Sequence, residues 1–163
     1  MSTAVRQLEH RLSAADASRA RVVALARIGQ NLALHRPNTD GGRYAIGQHI
    51  DGARAELAFL RMIGADLAQW AAYTNTSRSL AAIGADVAGW EVRSTRHRDG
   101  HLLVHPRDVP GTRMALVTTN GVIYRAAGWI MAEDGRRPEW WRELSRADGA
   151  CWCVPQSALR PFP

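Results

Sequence analysis

Two carboxylates, Asp86 and Glu91, stand five residues apart in Gly84-Ala85-Asp86-Val87-Ala88-Gly89-Trp90-Glu91-Val92-Arg93, across a glycine bend. The flanking runs read as consecutive strands. Side chains alternate along a strand, so Glu91 and Arg93 share one face. Asp86 comes beside Glu91 if Ala88-Gly89 turns the chain back. Two converging carboxylates next to a fixed cation suit a divalent ion and a phosphate group. Mg²⁺, or Mn²⁺ in its place, takes oxygen ligands, one or two of them carboxylates and the rest water and phosphate. Such an ion stabilises charge that develops on phosphoryl oxygens. The same residues also admit a purely structural arrangement, in which Asp86 opens a turn and Glu91 pairs with Arg93 or with an arginine of a neighbouring strand.

Basic residues crowd the same stretch. Arg93, Arg96, His97 and Arg98 surround a predicted turn at Arg98-Asp99-Gly100, and His101, His105 and Arg107 follow. This is either a charged, solvated turn or a surface that draws a polyanion toward a metal. Arg96, His97, Arg98 and Arg107 are the candidate nucleic-acid contacts, and His97 titrates in the range useful to a general acid or base. Trp90 and Trp129 fall in strand-like runs and read as core. Trp140 and Trp141 are adjacent, so one is expected inside and the other near the surface, where a ring can stack on a base. Glu133-Asp134 reads as a further acid pair or, the favoured reading, as charge at a helix start. Cys151 and Cys153 lie too close for an ordinary structural disulfide, and no second pair completes a zinc set.

The elements that position these residues divide the chain in two. Residues 3–35 are proline-free and rich in alanine, leucine and arginine, with apolar residues recurring at Val5, Leu8, Leu12, Ala15 and at Val22, Leu25, Ala26, Ile28. They predict one long helix or two, with Arg6, Arg11, Arg19, Arg21 and Arg27 on a face that either is solvated, the favoured reading, or tracks phosphates. Arg36–Arg43 contains Pro37 and Gly41-Gly42 and breaks that helix. Helical spacing returns over Tyr44–Gly64 through Ile46, Ile50, Ala53, Leu57, Leu60 and Ile63, with Gly64 as the C-terminal cap. His49, Gly52, Ala53 and Glu56 fall on one stripe of that helix. A short helix over Asp66–Tyr73 and a polar stretch, Thr74–Ser79, follow. Beyond residue 80, Val87, Trp90–Val92, Leu102–Val104, Ala115–Thr118 and Val122–Ile130 are β-prone, and Asn120-Gly121 is a hairpin signal. Arg136–Arg146 predicts a short helix, and Cys151–Pro163, with its three prolines, an extended tail. The order implies an α+β fold with one mostly antiparallel sheet.

The chain has 163 residues, enough for one domain with a sizeable core, and 46% are hydrophobic, which excludes general disorder. All 21 basic residues are arginine, a bias that a GC-rich genome explains, and the net charge of +6 favours polyanionic partners. No apolar run approaches the ~20 residues of a membrane span, and the N-terminus lacks the apolar core of a signal peptide. Cytoplasmic residence is the expectation. No glycine-rich phosphate loop, H-E-x-x-H or nucleophile elbow occurs, which leaves kinase, P-loop and zinc-hydrolase functions without support.

Taken together, the acids resemble the PD-(D/E)XK superfamily of restriction-endonuclease-like nucleases. Asp86 matches its first acid, Glu91 its second, Arg93 the place of its lysine, and Glu56 the glutamate of a preceding helix. The likeness extends to small phage-encoded proteins of this type, in the order of Val92-Arg93-Ser94, Leu102-Leu103-Val104, Arg107-Asp108, Ala115-Leu116-Val117-Thr118, Gly128-Trp129-Ile130 and Val154-Pro155-Gln156-Ser157-Ala158-Leu159. It covers roughly residues 44–160, with 1–35 as a helical extension within a single domain, 1–163. The resemblance implies a restriction-endonuclease-like core, in which a helix carrying Glu56 packs on a mixed sheet of about five strands. It implies a Mg²⁺-dependent DNA nuclease whose metal ligands are Asp86, Glu91 and Glu56. Arg93 departs from the pattern because a guanidinium with pKa above ~12 does not deprotonate, although it can clamp a phosphate bidentately. The alternative it leaves open is a catalytically degenerate nuclease-fold protein that binds nucleic acid or a host protein in an anti-defence role. The N-terminal helix then offers the surface for such a partner or for a homodimer.

Overall fold

The computed structural model describes residues 8–33, 43–70, 86–144 and 149–163. Two long helices, α1 (Ala14–Ala33) and α2 (Arg43–Ile63), precede most of the strands. One short strand, β1 (Leu8–Arg11), comes first; then β2 (Trp90–Thr95), β3 (Leu102–Val104), β4 (Arg113–Thr119), β5 (Ile123–Met131), β6 (Trp141–Glu143) and β7 (Ala150–Val154) follow the helices. The main sheet has the order β1-β5-β4-β2, and a second sheet has the order β3-β7-β6. The fold is α+β with a mixed four-stranded sheet, because β2 runs parallel to β4 while the other pairs are antiparallel. The expected sheet of about five strands is therefore replaced by four plus three.

The helices cover one face of the main sheet. Ala20, Ala24, Ala53, Leu57, Phe59 and Leu60 pack there against Trp90, Val92, Ala115, Val117 and Tyr124. The small sheet covers part of the other face, where Leu102, Val104 and Val154 meet Met114, Leu116 and Ile130. Along β4 the alternation is unbroken, with Ala115 and Val117 facing the helices and Met114 and Leu116 the small sheet. A bulge in the β4–β5 pairing after Leu116 changes which β5 residues face which layer.

Several local expectations need correction. Leu8–Arg11 forms a strand paired with β5 rather than the start of a helix. Leu8 packs on the core from β1 while Glu9 reaches Arg125 across the pair, so the two-residue period prevails here. In α1 the buried line is Ala20, Ala24 and Ile28, whereas Val22 and Leu25 are exposed. Small side chains let α1 approach α2 closely, and that contact overrides hydrophobic ranking. Ion pairing is the second reason: Asp16 holds Arg61 through two bonds of 2.9 and 3.2 Å, so part of the contact face is polar.

Helix α2 ends as expected. Gly64 takes φ +67° while Gly64 N–H and Ala65 N–H donate to Arg61 and Leu60 carbonyls, a Schellman cap. Beyond it Asp66 caps a single 3₁₀ turn, Leu67–Gln69, with Gln69 closing a capping box. The remainder of the expected Asp66–Tyr73 helix after Trp70, and the polar stretch Thr74–Ser79, lie outside the described residues. The Asn120-Gly121 hairpin forms between β4 and β5, and Arg98-Asp99 turns with Gly100 N–H bonded to the His97 carbonyl. Arg136–Arg146 is not one helix: Pro138–Trp140 makes a 3₁₀ turn, and Trp141–Glu143 pairs with β7. The C-terminal segment is likewise a strand first, and only then a tail that bridges Trp129 at Arg160.

Candidate functional site

The bend before β2 is a two-residue turn. Val87 and Trp90 exchange backbone hydrogen bonds of 3.0 and 2.8 Å around Ala88 and Gly89. Both central residues have positive φ, +47° and +83°, as the twist of a tight hairpin requires. Glycine accepts this at no steric penalty; Ala88 is strained. The turn returns the chain so that Asp86 Oδ2 accepts the Val92 N–H at 3.1 Å. Asp86 and Glu91 thereby come close enough for each to act on the other's proton affinity. The condition set by the sequence, that Ala88-Gly89 fold back, is met.

Glu56 approaches from α2. It is 7% exposed. Its two oxygens accept from Arg27 Nη1 and Nη2 at 2.9 and 2.8 Å, and Oε2 also accepts Trp70 Nε1 at 2.7 Å. The capped 3₁₀ turn delivers Trp70 to this bond. Arg27 thus belongs to a buried ion pair and not to the solvated face expected of it; a carboxylate on the apolar stripe of α2 needs a counter-ion, and α1 supplies it.

These acids raise one another's proton affinity. The Asp86 carboxyl is pushed up to about 8, first by burial, then by the negative charges of Glu56 and Glu91. Glu91 is also raised by burial, against the opposing pull of Arg93. Burial and the two neighbouring negative charges thus favour the protonated form of Asp86.

Arg93 lies alongside. Its Nη2 contacts Glu91 Oε1 at 3.1 Å and Asp108 Oδ1 at 2.8 Å. Its Nε is buried with no hydrogen-bond partner among the described residues. Asp108 is fixed in turn by the His105 N–H at 2.8 Å. The turn at Asp86 and the Glu91–Arg93 pair therefore also satisfy the structural arrangement that the sequence left open.

From the sequence, Arg27 is expected only on the arginine face of the first helix and Asp108 only within Arg107-Asp108, and Trp70 has no expected role. Asp108 carried a faint signal as an acid directly after Arg107, but nothing local ties it to Arg93 across fifteen residues. The pairing of Arg27 was foreshadowed only by the need of Glu56 for a partner.

The basic candidates do not gather around the acids. Arg96 is bound to Asp51 of α2 at 2.7 and 3.1 Å, and His97 and Arg98 are exposed in the turn after β2. Five residues of strand, ~17 Å, separate Arg96 from Glu91. Arg107 is exposed in the loop that carries Asp108. Trp90 is buried, while Trp141 is exposed and packs edge-on against Trp152 at 4.7 Å between centroids. Glu133 accepts the Gly111 N–H and Asp134 pairs with Arg160. Among the described residues no group of three or more His, Cys, Asp or Glu side chains is placed to hold a metal ion. Cys151 is buried and Cys153 half-buried, and neither forms a disulfide among the described residues.

No family model, curated protein or solved structure matches the chain. No described helix is long and apolar enough to cross a membrane.

Proposed function

We propose that the chain is a Mg²⁺-dependent DNA phosphodiesterase of the PD-(D/E)XK type, phage- or prophage-encoded and working in the cytoplasm of a bacterial host. The observation that carries this is the convergence of Asp86 and Glu91 at a folded-back turn, with Arg93 beside them holding a buried, unused Nε–H. Like charges at one buried place are costly unless a cation joins them. The donor set fits a two-carboxylate site for Mg²⁺, which commonly fills its remaining positions with water and phosphate. Glu56, saturated by Arg27 and Trp70, acts from behind through its charge, whereas Asp86 and Glu91 are the side chains that would hold the ion. The cation, when bound, supplies Lewis-acid stabilisation of the phosphoryl oxygens.

The chain's own residues do the rest. Asp86 would hold the ion in its deprotonated form, its proton passing to solvent, because carboxylate ligands bind a metal ion without their proton. Arg93, steadied by Asp108, turns Nε–H to the scissile phosphate and balances its growing charge. Glu91→Gln removes one charge at nearly constant volume. It is expected to lower Mg²⁺-dependent cleavage of plasmid DNA by at least about a hundredfold with an unchanged melting curve; wild-type cleavage by this variant would refute the assignment.

A second proposal draws on the same ion pairs. Arg93 is tied to two carboxylates and Glu56 is fully bonded. This favours a degenerate nuclease fold that binds nucleic acid, or a host protein over the exposed Val22 and Leu25 of α1, without catalysis. Its signature is DNA binding insensitive to Mg²⁺ and to Asp86→Ala, with no cleavage of supercoiled, linear or single-stranded DNA.

A further inference from the structure

A groove of about 290 Å³ lies at the far end of the main sheet, lined by Glu9, Arg96, Arg98, Thr118, Asn120 and Arg125 among others. Three guanidinium groups face one lining carboxylate there. Arg125 spends its Nε on Glu9 at 2.8 Å, and Arg96 is held by Asp51. Arg98 has no ion-pair partner among the described residues. Its backbone, in contrast, is fixed, because Gln156 Nε2 donates to the Arg98 and Gly100 carbonyls at 2.8 and 3.0 Å.

The neighbouring lining is also rich in donors. Asn120 Oδ1 is consumed by the Val122 and Ile123 N–H groups at 3.0 and 2.9 Å, which leaves the amide NH₂ as its remaining function. Thr118 is only 6% exposed and still contributes to the groove. Donors and positive charge at a concave place select an oxyanion.

Register relates the groove to the carboxylates. In the parallel β2–β4 pair, Glu91, Arg93 and Thr95 stand opposite Met114, Leu116 and Thr118. Met114 and Leu116 face the small sheet, so the alternation places Glu91, Arg93, Thr95 and Thr118 on that face too. The bulge after Leu116 brings Arg125 to the same side by shifting the parity of β5. On that face Glu91 and Arg93 are followed by Thr95, Thr118 and Arg125, the last two of which line the groove about 17 Å further along β2, while Arg96 reaches it from the helix side, held by Asp51 of α2. Phosphates of a duplex strand wind as they rise and stand ~6–7 Å from their neighbours, so this span corresponds to about three nucleotide steps.

We propose that the Arg96–Arg98–Arg125 groove is a second phosphate subsite, which holds the backbone of a nucleic acid about three nucleotides from the phosphate at Asp86 and Glu91. It rests on the nucleic-acid reading above and adds a fixed distance between two contacts. It also assigns Arg125, Asn120 and Thr118 to binding and separates Arg96 and Arg98 from the chemistry.

Binding is measured by fluorescence anisotropy with a labelled DNA duplex of about two helical turns, in EDTA, over stepped salt. Arg98→Ala with Arg125→Gln is expected to raise Kd at least about tenfold near 50 mM salt and to reduce the salt slope by about two. Arg98→Ala alone, in an exposed turn, is expected to reduce the slope by about one, and Arg98→Lys to restore it. Unchanged affinity and slope in all the alanine and glutamine variants would overturn the subsite. Complete displacement of the duplex by millimolar inorganic phosphate at constant ionic strength would also overturn it, in favour of a site for a single small phosphate. Cleavage in Mg²⁺ is scored separately. If the wild type binds through the groove and cuts nothing, the nuclease reading fails and the subsite stands; if it cuts but the variants bind normally, the reverse holds.

Discussion

At the scale of single residues, the controlling quantity is the proton on Asp86. Its carboxyl titrates near 8 in the fold and near 3.8 in the unfolded chain. Between those values the folded state binds a proton that the unfolded state has released. Stability therefore falls as pH rises from about 4 to about 8 and levels off above that. Asp86→Asn keeps an NH₂ donor toward Glu91 and cannot ionise. Its Tm at pH 8, without divalent ions, is expected to exceed that of the wild type by at least about 3 °C, and the difference to vanish near pH 4. Mg²⁺ should have the opposite profile: it competes with the proton, so the Tm gain on adding it should grow with pH in the wild type and be absent in Asp86→Asn. Equal melting curves for the two proteins across this range would show that Asp86 is not held protonated by its neighbours.

At the scale of elements, two ion pairs join α1 to α2, and one of them is buried. Asp16–Arg61 lies near the start of α1, and Arg27–Glu56 one long stretch further on. Arg27 and Glu56 side chains are only 13% and 9% exposed. Removing Arg27 leaves the Glu56 carboxylate buried with Trp70 Nε1 as its bond donor, so Arg27→Ala is expected to destabilise the fold by about 3 kcal/mol, read as a lowered urea midpoint. Arg27→Ala with Glu56→Gln should recover part of that loss, since no charge then remains uncompensated. The same contacts explain what could be read from the chain beforehand. Helix α2, its Gly64 cap, β2 to β5 and the Asn120-Gly121 hairpin all follow from local spacing and turn chemistry. Strand β1 did not, because Leu8–Arg11 is decided by β5, more than a hundred residues away. The buried face of α1 was misread for a similar reason: alanines that permit close helix packing outrank Val22 and Leu25. Asp86, Glu91 and Arg93 were legible as a local turn-and-strand pattern, but the ring of Arg27, Trp70 and Asp108 that fixes their charges is assembled only by tertiary contact.

At the scale of the whole molecule, the C-terminus ties the layers together beneath the site. Phe162 packs on Phe59 of α2 and Trp90 of β2, with ring centroids 5.4 and 5.6 Å apart, and Trp90 meets Trp129 at 5.4 Å. Arg160 exchanges backbone bonds of 2.9 and 2.8 Å with Trp129, and Trp129 Nε1 donates to the Pro161 carbonyl. This closure requires glycine at 128. Its φ is +151°, and a Cβ there would stand 2.7 Å from Leu159 Cβ and 3.0 Å from the Arg160 carbonyl oxygen. Neither neighbour is the tip of a flexible chain, so Gly128→Ala must push the tail away from β5. The aromatic cluster would then lose Phe162, and Trp90, the residue before Glu91, would lose one wall of its seat. Gly128→Ala is expected to destabilise the protein by about 2–4 kcal/mol. Its tryptophan fluorescence should shift to the red, and any Mg²⁺-dependent cleavage should fall with it. Phe162→Ala removes the ring without moving the backbone and should reproduce the fluorescence change at a smaller loss of stability, about 1–3 kcal/mol. If Gly128→Ala melts like the wild type with Trp90 still shielded, the tail does not brace the strand that carries Glu91, and the position of that carboxylate is set by α2 and β4 alone.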